Sequence, residues 1–499
     1  MNQSYKARKE AFVSNLEGGS ILEVIAVTLV APASVFLWSV LQSRLSFFTP
    51  YSAAALVTDF LLNVLAILFA TTLYSSTPWT LNILLVSPAL LLLVTSTPPR
   101  TQQKAKPPRP STVADKTSNH ATDDSGSLPI HPFLTTYRAA MMIVTCVAIL
   151  AVDFPVFPRR FAKVENWGTS LMDLGVGSFV FSGGVVSARS LLKGRKDPST
   201  KPPLVQRLAG SMRHSIPLLV LGLIRLYSVK GLDYAEHVTE YGVHWNFFFT
   251  LGLLPPFVEI FDGLANFVPS YELLALGVVT VYQVALESTD LKSYILVTPR
   301  GPDLLSKNRE GVFSFLGYLA IFLAGRAVGV RIIPRGTSPS KSPQQARKGL
   351  LVSLAVQVIV WTGLFILNST YVLGYGANIP VSRRLANMPY VLWVSAFNIG
   401  QLFMFCALET MFFPFVYRAS GKSGEAERMS FATSRIMTAY NKNGLAVFLV
   451  ANLLTGTVNL SVPTLDVSLP QSMAILIAYA AITTSIALGM LKANIKLVL

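Results

Sequence analysis

Charged residues are scarce in this chain. Asp, Glu, Lys and Arg make up 13% of its 499 residues, whereas soluble globular proteins contain about 25%. Hydrophobic residues make up 52% of the chain, which is enough apolar sequence to cross a lipid bilayer many times. The composition excludes a soluble multidomain enzyme and a disordered chain, since both depend on charged surface.

Cysteine is almost absent as well. The two cysteines, Cys146 and Cys406, lie 260 positions apart within apolar runs, which excludes a disulfide framework and a cysteine-based zinc site. The sequence also lacks the G-x-S-x-G and H-E-x-x-H motifs and any other spacing typical of metal ligands. We therefore predict neither a bound metal nor a prosthetic cofactor.

Acidic residues are fewer than basic ones, with 25 Asp and Glu against 41 Lys and Arg and a net charge of +16. In a soluble protein this excess would indicate nucleic-acid binding. In a membrane protein, basic residues accumulate in the cytoplasmic connections. We interpret the excess as a sign of membrane topology and expect no nucleic-acid partner.

The long apolar runs predict an all-α, polytopic integral membrane protein that forms a single domain over residues 1–499. A helix needs about 20 apolar residues to cross the hydrocarbon layer, and 13 segments satisfy or approach this length. Two of them are short, and the seventh contains Pro255 and Pro256. The predicted spans are 20–42, 51–73, 78–97, 135–153, 168–192, 213–229, 244–262, 272–288, 311–330, 350–368, 388–410, 443–459 and 471–491.

Thirteen spans place the two termini on opposite sides of the membrane. With the N-terminus outside the cytoplasm, the cytoplasmic connections hold 24 Lys and Arg residues and the opposite connections hold 13, as the positive-inside rule requires. Two cytoplasmic connections, 98–134 and 334–349, are rich in Pro, Ser and charge and lack apolar periodicity. We predict disordered linkers there.

The densest group of ionisable residues lies in segment 151–178, AVDFPVFPRRFAKVENWGTSLMDLGVGS. Asp153 ends one predicted span, and Pro155 and Pro158 then force an irregular connection that folds back. We expect this connection to bring Asp153 toward Lys163. A buried carboxylate beside an ammonium group is suited to general-base catalysis, and the ammonium can stabilise an oxyanion. An ordinary interfacial cluster that meets lipid phosphates is the alternative interpretation.

Other polar residues at the same membrane boundary are candidates for substrate contacts. Arginine side chains match phosphate geometry, and histidine titrates near neutral pH. A His-Trp-Asn run at the start of a span is more often a membrane-boundary anchor than a catalytic group. These candidates are Arg159, Arg160, Asp173, His244, Trp245 and Asn246.

Five blocks of the sequence resemble the fungal GPI-anchored wall transfer proteins, the inositol acyltransferases of glycosylphosphatidylinositol synthesis. The resemblance extends from residue 5 to about residue 467 and is weakest in the two predicted linkers. The blocks are YKARKEAFVSNLEGGSILEV, AVDFPVFPRRFAKVENWGTSLMDLGVGSFVFS, EYGVHWNFFFTL, NREGVFSFLGYLAIFLAG and NGLAVFLVANLLTGTVNLSVPTLDV.

The resemblance implies an enzyme of the endoplasmic-reticulum membrane with 13 spans, a lumenal N-terminus and a cytoplasmic C-terminus. Such an enzyme transfers a fatty acyl group, usually palmitoyl, from acyl-CoA to the inositol 2-hydroxyl of glucosaminyl-phosphatidylinositol. The catalytic pair of the family corresponds to Asp153 and Lys163 in this sequence. Isoxazole-type antifungal compounds act on the family, so the resemblance also implies an antifungal target.

The residues and the resemblance together lead to one mechanistic hypothesis. Asp153 deprotonates the inositol hydroxyl, while Lys163 holds Asp153 and stabilises the oxyanion. Arg159 and Arg160 are expected to bind the phosphodiester. Arg189 and Lys193, on the cytoplasmic side, are expected to meet the phosphates of the co-substrate acyl-CoA.

The expected partners are thus acyl-CoA, the lipid acceptor and membrane lipid, with no obligate protein partner. The alternative function is a multi-pass lipid or small-solute transporter. Many spans, the Pro-Pro interruption and ionisable residues inside spans suit a transporter as well.

Overall fold

The computed structural model describes residues 5–96, 128–196, 203–230, 238–334 except 266 and 269, 342–371, 375–417 and 423–495. The regular structure of these residues is helical, which confirms the all-α prediction. The first eleven helices are α1 (Tyr5–Val13), α2 (Ile21–Thr28), α3 (Val30–Leu45), α4 (Ala53–Phe60), α5 (Ala66–Thr71), α6 (Pro78–Thr95), α7 (Pro132–Ala151), α8 (Leu171–Lys196), α9 (Leu204–Lys230), α10 (Val238–Tyr241) and α11 (Phe247–Leu264). The next eleven are α12 (Tyr271–Ser288), α13 (Leu291–Leu296), α14 (Leu304–Lys307), α15 (Arg309–Ile332), α16 (Pro343–Ser369), α17 (Met388–Phe412), α18 (Pro414–Tyr417), α19 (Ser423–Phe431), α20 (Arg435–Lys442), α21 (Gly444–Ser461) and α22 (Leu469–Lys492).

Every predicted span corresponds to a helical segment of the structure. Among the described residues, 11 segments are long and apolar enough to cross a membrane, with α2 and α3 forming one of them and α4 and α5 another. The two remaining predicted spans, 213–229 and 272–288, form α9 and α12, which are 27 and 18 residues long. The polytopic architecture is therefore confirmed.

Contacts between the connections show that α9 and α12 run the length of the bundle like the other long helices. The N–H of Gly168, between α7 and α8, donates to the carbonyl of Val381, between α16 and α17. Lys163 of the same connection binds Glu240 in α10, just after α9, and Val243 N–H donates to Lys307 C=O, after α12. These connections share one face of the bundle, which we call the N-terminal face because residues 5–20 also lie there.

The two predicted linkers fall largely on residues 97–127 and 335–341, which lie outside the described residues. The prediction was wrong at the end of the second linker, because α16 already begins at Pro343. Ser342 Oγ accepts a hydrogen bond from the N–H of Gln345 (3.3 Å), and Gln345 Oε1 accepts one from the N–H of Ser342 (3.0 Å). This reciprocal cap stabilises a polar first turn that has no apolar periodicity.

Helix α15 lies at the centre of the bundle and packs closely against α8. A Cβ atom at Gly325 would lie 2.2 Å from the carbonyl oxygen of Phe181, and one at Gly184 would lie 2.1 Å from that of Phe322. Such close backbone approach is typical of helix pairs with small residues in membranes. The contact holds α8 firmly, and with it the polar connection that precedes α8.

Candidate active site

The connection between α7 and α8 carries most of the predicted site residues. Its two prolines end α7 and are followed by one turn of 3₁₀ helix over Arg159–Phe161. Phe154, Phe157 and Phe161 are fully buried. Because these rings anchor the connection in the apolar core, the polar residues between them are held at the N-terminal face.

Asp153 is linked to two segments that are distant in the sequence, to one directly and to the other through an amide. Its Oδ2 accepts a hydrogen bond from Nδ2 of Asn459 in α21 (2.7 Å), and Oδ1 of the same amide accepts one from Lys9 Nζ in α1 (2.8 Å). Burial raises the pKa of Asp153, whereas the Asn459 hydrogen bond and the charges of Lys9 and Arg159 lower it. A half-buried carboxyl group whose pKa is raised by burial and lowered by these neighbours is suited to accept a proton.

Lys163 has a different partner. Its Nζ lies 2.8 Å from Oε1 and 3.0 Å from Oε2 of Glu240. In the described part of the chain, Lys163 forms no ion pair with Asp153. The expectation that Lys163 holds Asp153 was therefore wrong, because the ammonium group of Lys163 forms an ion pair with Glu240 of α10 instead.

The two arginines of the connection differ in how their donors are used. Arg160 Nε donates to Glu23 (2.7 Å), and its Nη2 donates to the carbonyl of Ser75 (3.4 Å). Arg159 lies over the ring of Phe12 with 3.8 Å between Cζ and the centroid. Its Nη2 donates to two backbone carbonyls of the connection, but its buried Nε and Nη1 have no partner among the described residues.

Asp173, in the first turn of α8, stabilises the connection between α7 and α8 through hydrogen bonds. Its Oδ1 accepts from Arg383 Nε (2.5 Å), and its Oδ2 accepts from Ser170 Oγ (2.8 Å) and the N–H of Val164 (3.1 Å). Arg383 and Asp173 are both buried. Because both carboxylate oxygens are occupied within the protein, the contacts of Asp173 hold the end of the connection next to Lys163.

The predicted His-Trp-Asn run forms the start of α11. Asn246 caps this helix, since its Oδ1 accepts from the N–H of Phe248 (3.0 Å) while its Nδ2 donates to the carbonyl of Gly222 (2.9 Å). The backbone N–H groups of His244 and Trp245 both donate to Oδ1 of Asn308 (2.8 and 2.9 Å). These contacts join α11 to the connection before α15.

Arg189 and Lys193 lie near the opposite end of α8. Arg189 Nη2 donates to the carbonyl of Pro129 (3.0 Å), and Lys193 is exposed. With a rise of about 1.5 Å per helical residue, Arg189 lies roughly 27 Å along α8 from Leu171. The structure therefore separates these two residues from the group around Asp153.

An apolar recess extends into the bundle between α3, α7, α8 and α17, starting next to Leu171 at the N-terminal face. It encloses about 470 Å³ of space that no atom occupies, part of which is open to solvent. Residues lining it include Thr145, Leu171, Gly175, Ser178, Phe397 and Phe405.

Sequence reasoning missed four residues of this site: Lys9, Glu240, Arg383 and Asn459. Lys9, Glu240 and Arg383 lie between or before the predicted spans, and Asn459 is the last residue of the predicted span 443–459. Lys9, Glu240 and Asn459 each belong to a block that carries the family resemblance, which is the one available signal. The contact of Asn459 with Asp153 and that of Lys9 with Asn459 depend on how distant helices pack.

Comparison with known proteins gives one consistent result. The GWT1 family model matches residues 5–490. The chain is 78% identical to GPI-anchored wall transfer protein 1 of Aspergillus oryzae, with all of both chains covered. It is 74% identical to the protein of the same name from Aspergillus fumigatus over 99% of each chain, and 40% identical to that of Candida albicans over 99% of each chain. The helical bundle, the polar connection at its N-terminal face and this similarity over the full length lead to the conclusion that the chain belongs to the GWT1 family.

Proposed function

We propose that this protein is an acyltransferase of GPI-anchor biosynthesis. It transfers a fatty acyl group, palmitoyl in particular, from acyl-CoA to the inositol 2-hydroxyl of glucosaminyl-phosphatidylinositol. It works in the endoplasmic-reticulum membrane with its N-terminal face toward the lumen and its C-terminus in the cytoplasm, an orientation that the distribution of Lys and Arg favours.

One observation carries the proposal: a half-buried carboxyl with one occupied oxygen lies on the same anchored connection as a lysine. Asp153 Oδ2 is held by Asn459. Within the described part of the chain, Oδ1 accepts no hydrogen bond, so this oxygen is available to a substrate hydroxyl. The recess that Leu171 lines suits an apolar ligand group such as part of an acyl chain, because most of its lining surface is apolar.

The reaction needs few groups, since the thioester is already activated. The inositol hydroxyl gives its proton to Asp153 Oδ1 while its oxygen bonds to the thioester carbonyl carbon. Lys163 uses two hydrogen bonds for Glu240, and its third proton is directed to the oxyanion of the tetrahedral intermediate. The carbon–sulfur bond then breaks, and the CoA thiolate leaves and takes up the proton held by Asp153.

The other predicted residues have roles in binding. Nε and Nη1 of Arg159, which have no partner among the described residues, match the geometry of the acceptor's phosphodiester. Arg189 and the exposed Lys193 receive the CoA phosphates at the far end of α8. Arg160 and Asp173, whose groups are already paired within the protein, contribute by shaping the connection.

The first test replaces the proposed base. Asp153→Asn keeps the size of the side chain but removes the proton acceptor, so kcat should fall by about 10²–10⁴-fold. Acyl transfer from labelled palmitoyl-CoA is measured on the purified protein in detergent, where transport across a sealed membrane is impossible. Glu165→Gln, which removes a carboxylate from the same connection, is the matched control and should retain activity.

Lys163→Met is the companion variant and should lower kcat by about 10²–10³-fold through loss of an oxyanion donor. If wild-type protein produced no acylated lipid in detergent, the proposed function would be rejected and the transporter alternative would gain weight. If Asp153→Asn turned over normally, the assignment of the base would be wrong.

A further inference from the structure

Two helices that are far from Asp153 in the sequence, α1 and α21, meet beside it. Asn459 lies two residues before the end of α21, and Lys9 lies in the middle of α1. The amide of Asn459 connects them, with 2.7 Å to Asp153 Oδ2 and 2.8 Å to Lys9 Nζ. The proposed base is thus supported from outside its own connection.

The two ends of the Asn459 amide have different chemistry, which makes this contact directional. An amide oxygen accepts hydrogen bonds and an amide nitrogen donates them. Lys9 is a donor only, so it selects the orientation in which Oδ1 of Asn459 faces the ammonium group. In that orientation Nδ2 necessarily faces Asp153, and the N–H group donates to Oδ2.

We propose that Asn459 is a positioning residue for Asp153 and that Lys9 sets the orientation of its amide. This inference rests on the proposed function, because it assumes that Asp153 accepts the substrate proton. Held through Oδ2, the carboxylate presents Oδ1 to the inositol hydroxyl in one rotamer. The same hydrogen bond favours the charged form of the carboxylate, which is the form that accepts a proton.

The surroundings of α1 support a specific role for Lys9. Neighbouring Arg8 pairs with Asp466 at the exposed surface (2.5 Å), and Tyr5 accepts the N–H of Leu465 (3.3 Å). The Tyr5 contact docks α1 against the connection between α21 and α22, and the exposed Arg8–Asp466 pair adds little to it. The distinct contribution of Lys9 is its contact with Asn459.

The groups that face Asp153 come from three elements, and all favour its charged form. They are Lys9 from α1, Asn459 from α21 and Arg159 from its own connection. Removal of Asn459 or Lys9 therefore raises the pKa of Asp153 further above its ordinary value. Because the base works only when deprotonated, the acidic limb of the pH–rate profile moves to higher pH.

The test compares Asn459→Leu and Lys9→Met with Arg8→Met in the full-length protein. Leucine keeps the approximate shape of asparagine without its donor, and Arg8→Met removes one positive charge from the same turn of α1. For Asn459→Leu we expect the acidic limb of kcat to move up by about one pH unit, with the KM for acyl-CoA unchanged. Lys9→Met should shift the limb in the same direction by a smaller amount, and Arg8→Met should leave it in place.

A readout that does not need turnover keeps the two proposals separate. The infrared carboxyl band that disappears in Asp153→Asn reports the protonation of Asp153, and its midpoint should rise in Asn459→Leu. Absence of acyl transfer in wild-type protein would reject the proposed function, even if the band shifts. The role of Asn459 would be overturned if Asn459→Leu were active and neither the acidic limb of its pH–rate profile nor the midpoint of its carboxyl band moved. Equal shifts of the acidic limb in Lys9→Met and Arg8→Met would overturn the role of Lys9.

Discussion

At the scale of single residues, two adjacent arginines show how partners decide a role. Arg160 is paired with Glu23, which lies in the first turn of α2. Arg159 has two buried donor nitrogens without a partner in the described residues, and burial lowers its pKa to about 10. An arginine with a pKa of about 10 remains charged at neutral pH. Its desolvated donors therefore favour an anionic ligand.

Substitution of the two arginines should give opposite results. We expect Arg159→Met to raise the KM for the lipid acceptor by about tenfold, because it removes charge-assisted hydrogen bonds to the phosphodiester. Arg160→Met should leave this KM nearly unchanged and instead lower the thermal midpoint, since Glu23 loses its partner. Steady-state kinetics and thermal unfolding in the same detergent distinguish the two effects; the reverse pattern would contradict the assignment.

At the scale of elements, α8 combines tight packing with open space. Gly184 meets the backbone of α15, whereas a Cβ atom at Gly175 would have no neighbour within 4 Å and would point into the recess that Gly175 lines. A glycine inside a helix costs about 1 kcal/mol relative to alanine. No neighbouring group forces the residue at position 175 to be glycine. We infer that glycine at this position keeps the recess free of a side chain.

Gly175→Leu should therefore shorten the recess without unfolding α8. We expect kcat/KM with palmitoyl-CoA to fall by about tenfold and that with a shorter acyl-CoA to fall less. Gly194→Leu is the control, because Gly194 lies in the same helix, is exposed and also has space for a Cβ atom. Equal losses with both acyl donors would show that the recess does not hold the acyl chain.

At the scale of the whole molecule, the topology depends on α9 and α12. Their apolar character is weaker than that of the other 11 spans, yet the contacts at the N-terminal face are those expected if both helices cross the membrane. Gly168 N–H bonds to Val381 C=O and Val243 N–H bonds to Lys307 C=O. Each of these bonds joins connections that can meet only if an even number of crossings separates them.

Cysteine labelling in sealed microsomes tests this topology at α12. Phe267→Cys and Asp290→Cys lie before and after the helix, at exposed positions. We expect a membrane-impermeant maleimide to label them from opposite sides. The two native cysteines are buried and should contribute little background. Labelling of both positions from the same side would remove α12 from the set of spans.

The sequence by itself determined the all-α class, the positions of the long apolar helices and the segment that carries Asp153 and Lys163. These features follow from local properties, namely apolar length, proline positions and the spacing of charges. Only the tertiary structure decided that Asp153 binds Asn459 and Lys163 binds Glu240. Ten residues separate the two predicted partners in the chain, but 306 separate Asp153 from Asn459. Which of several cations and amides reaches a carboxylate depends on the packing of distant helices, and no local pattern encodes it.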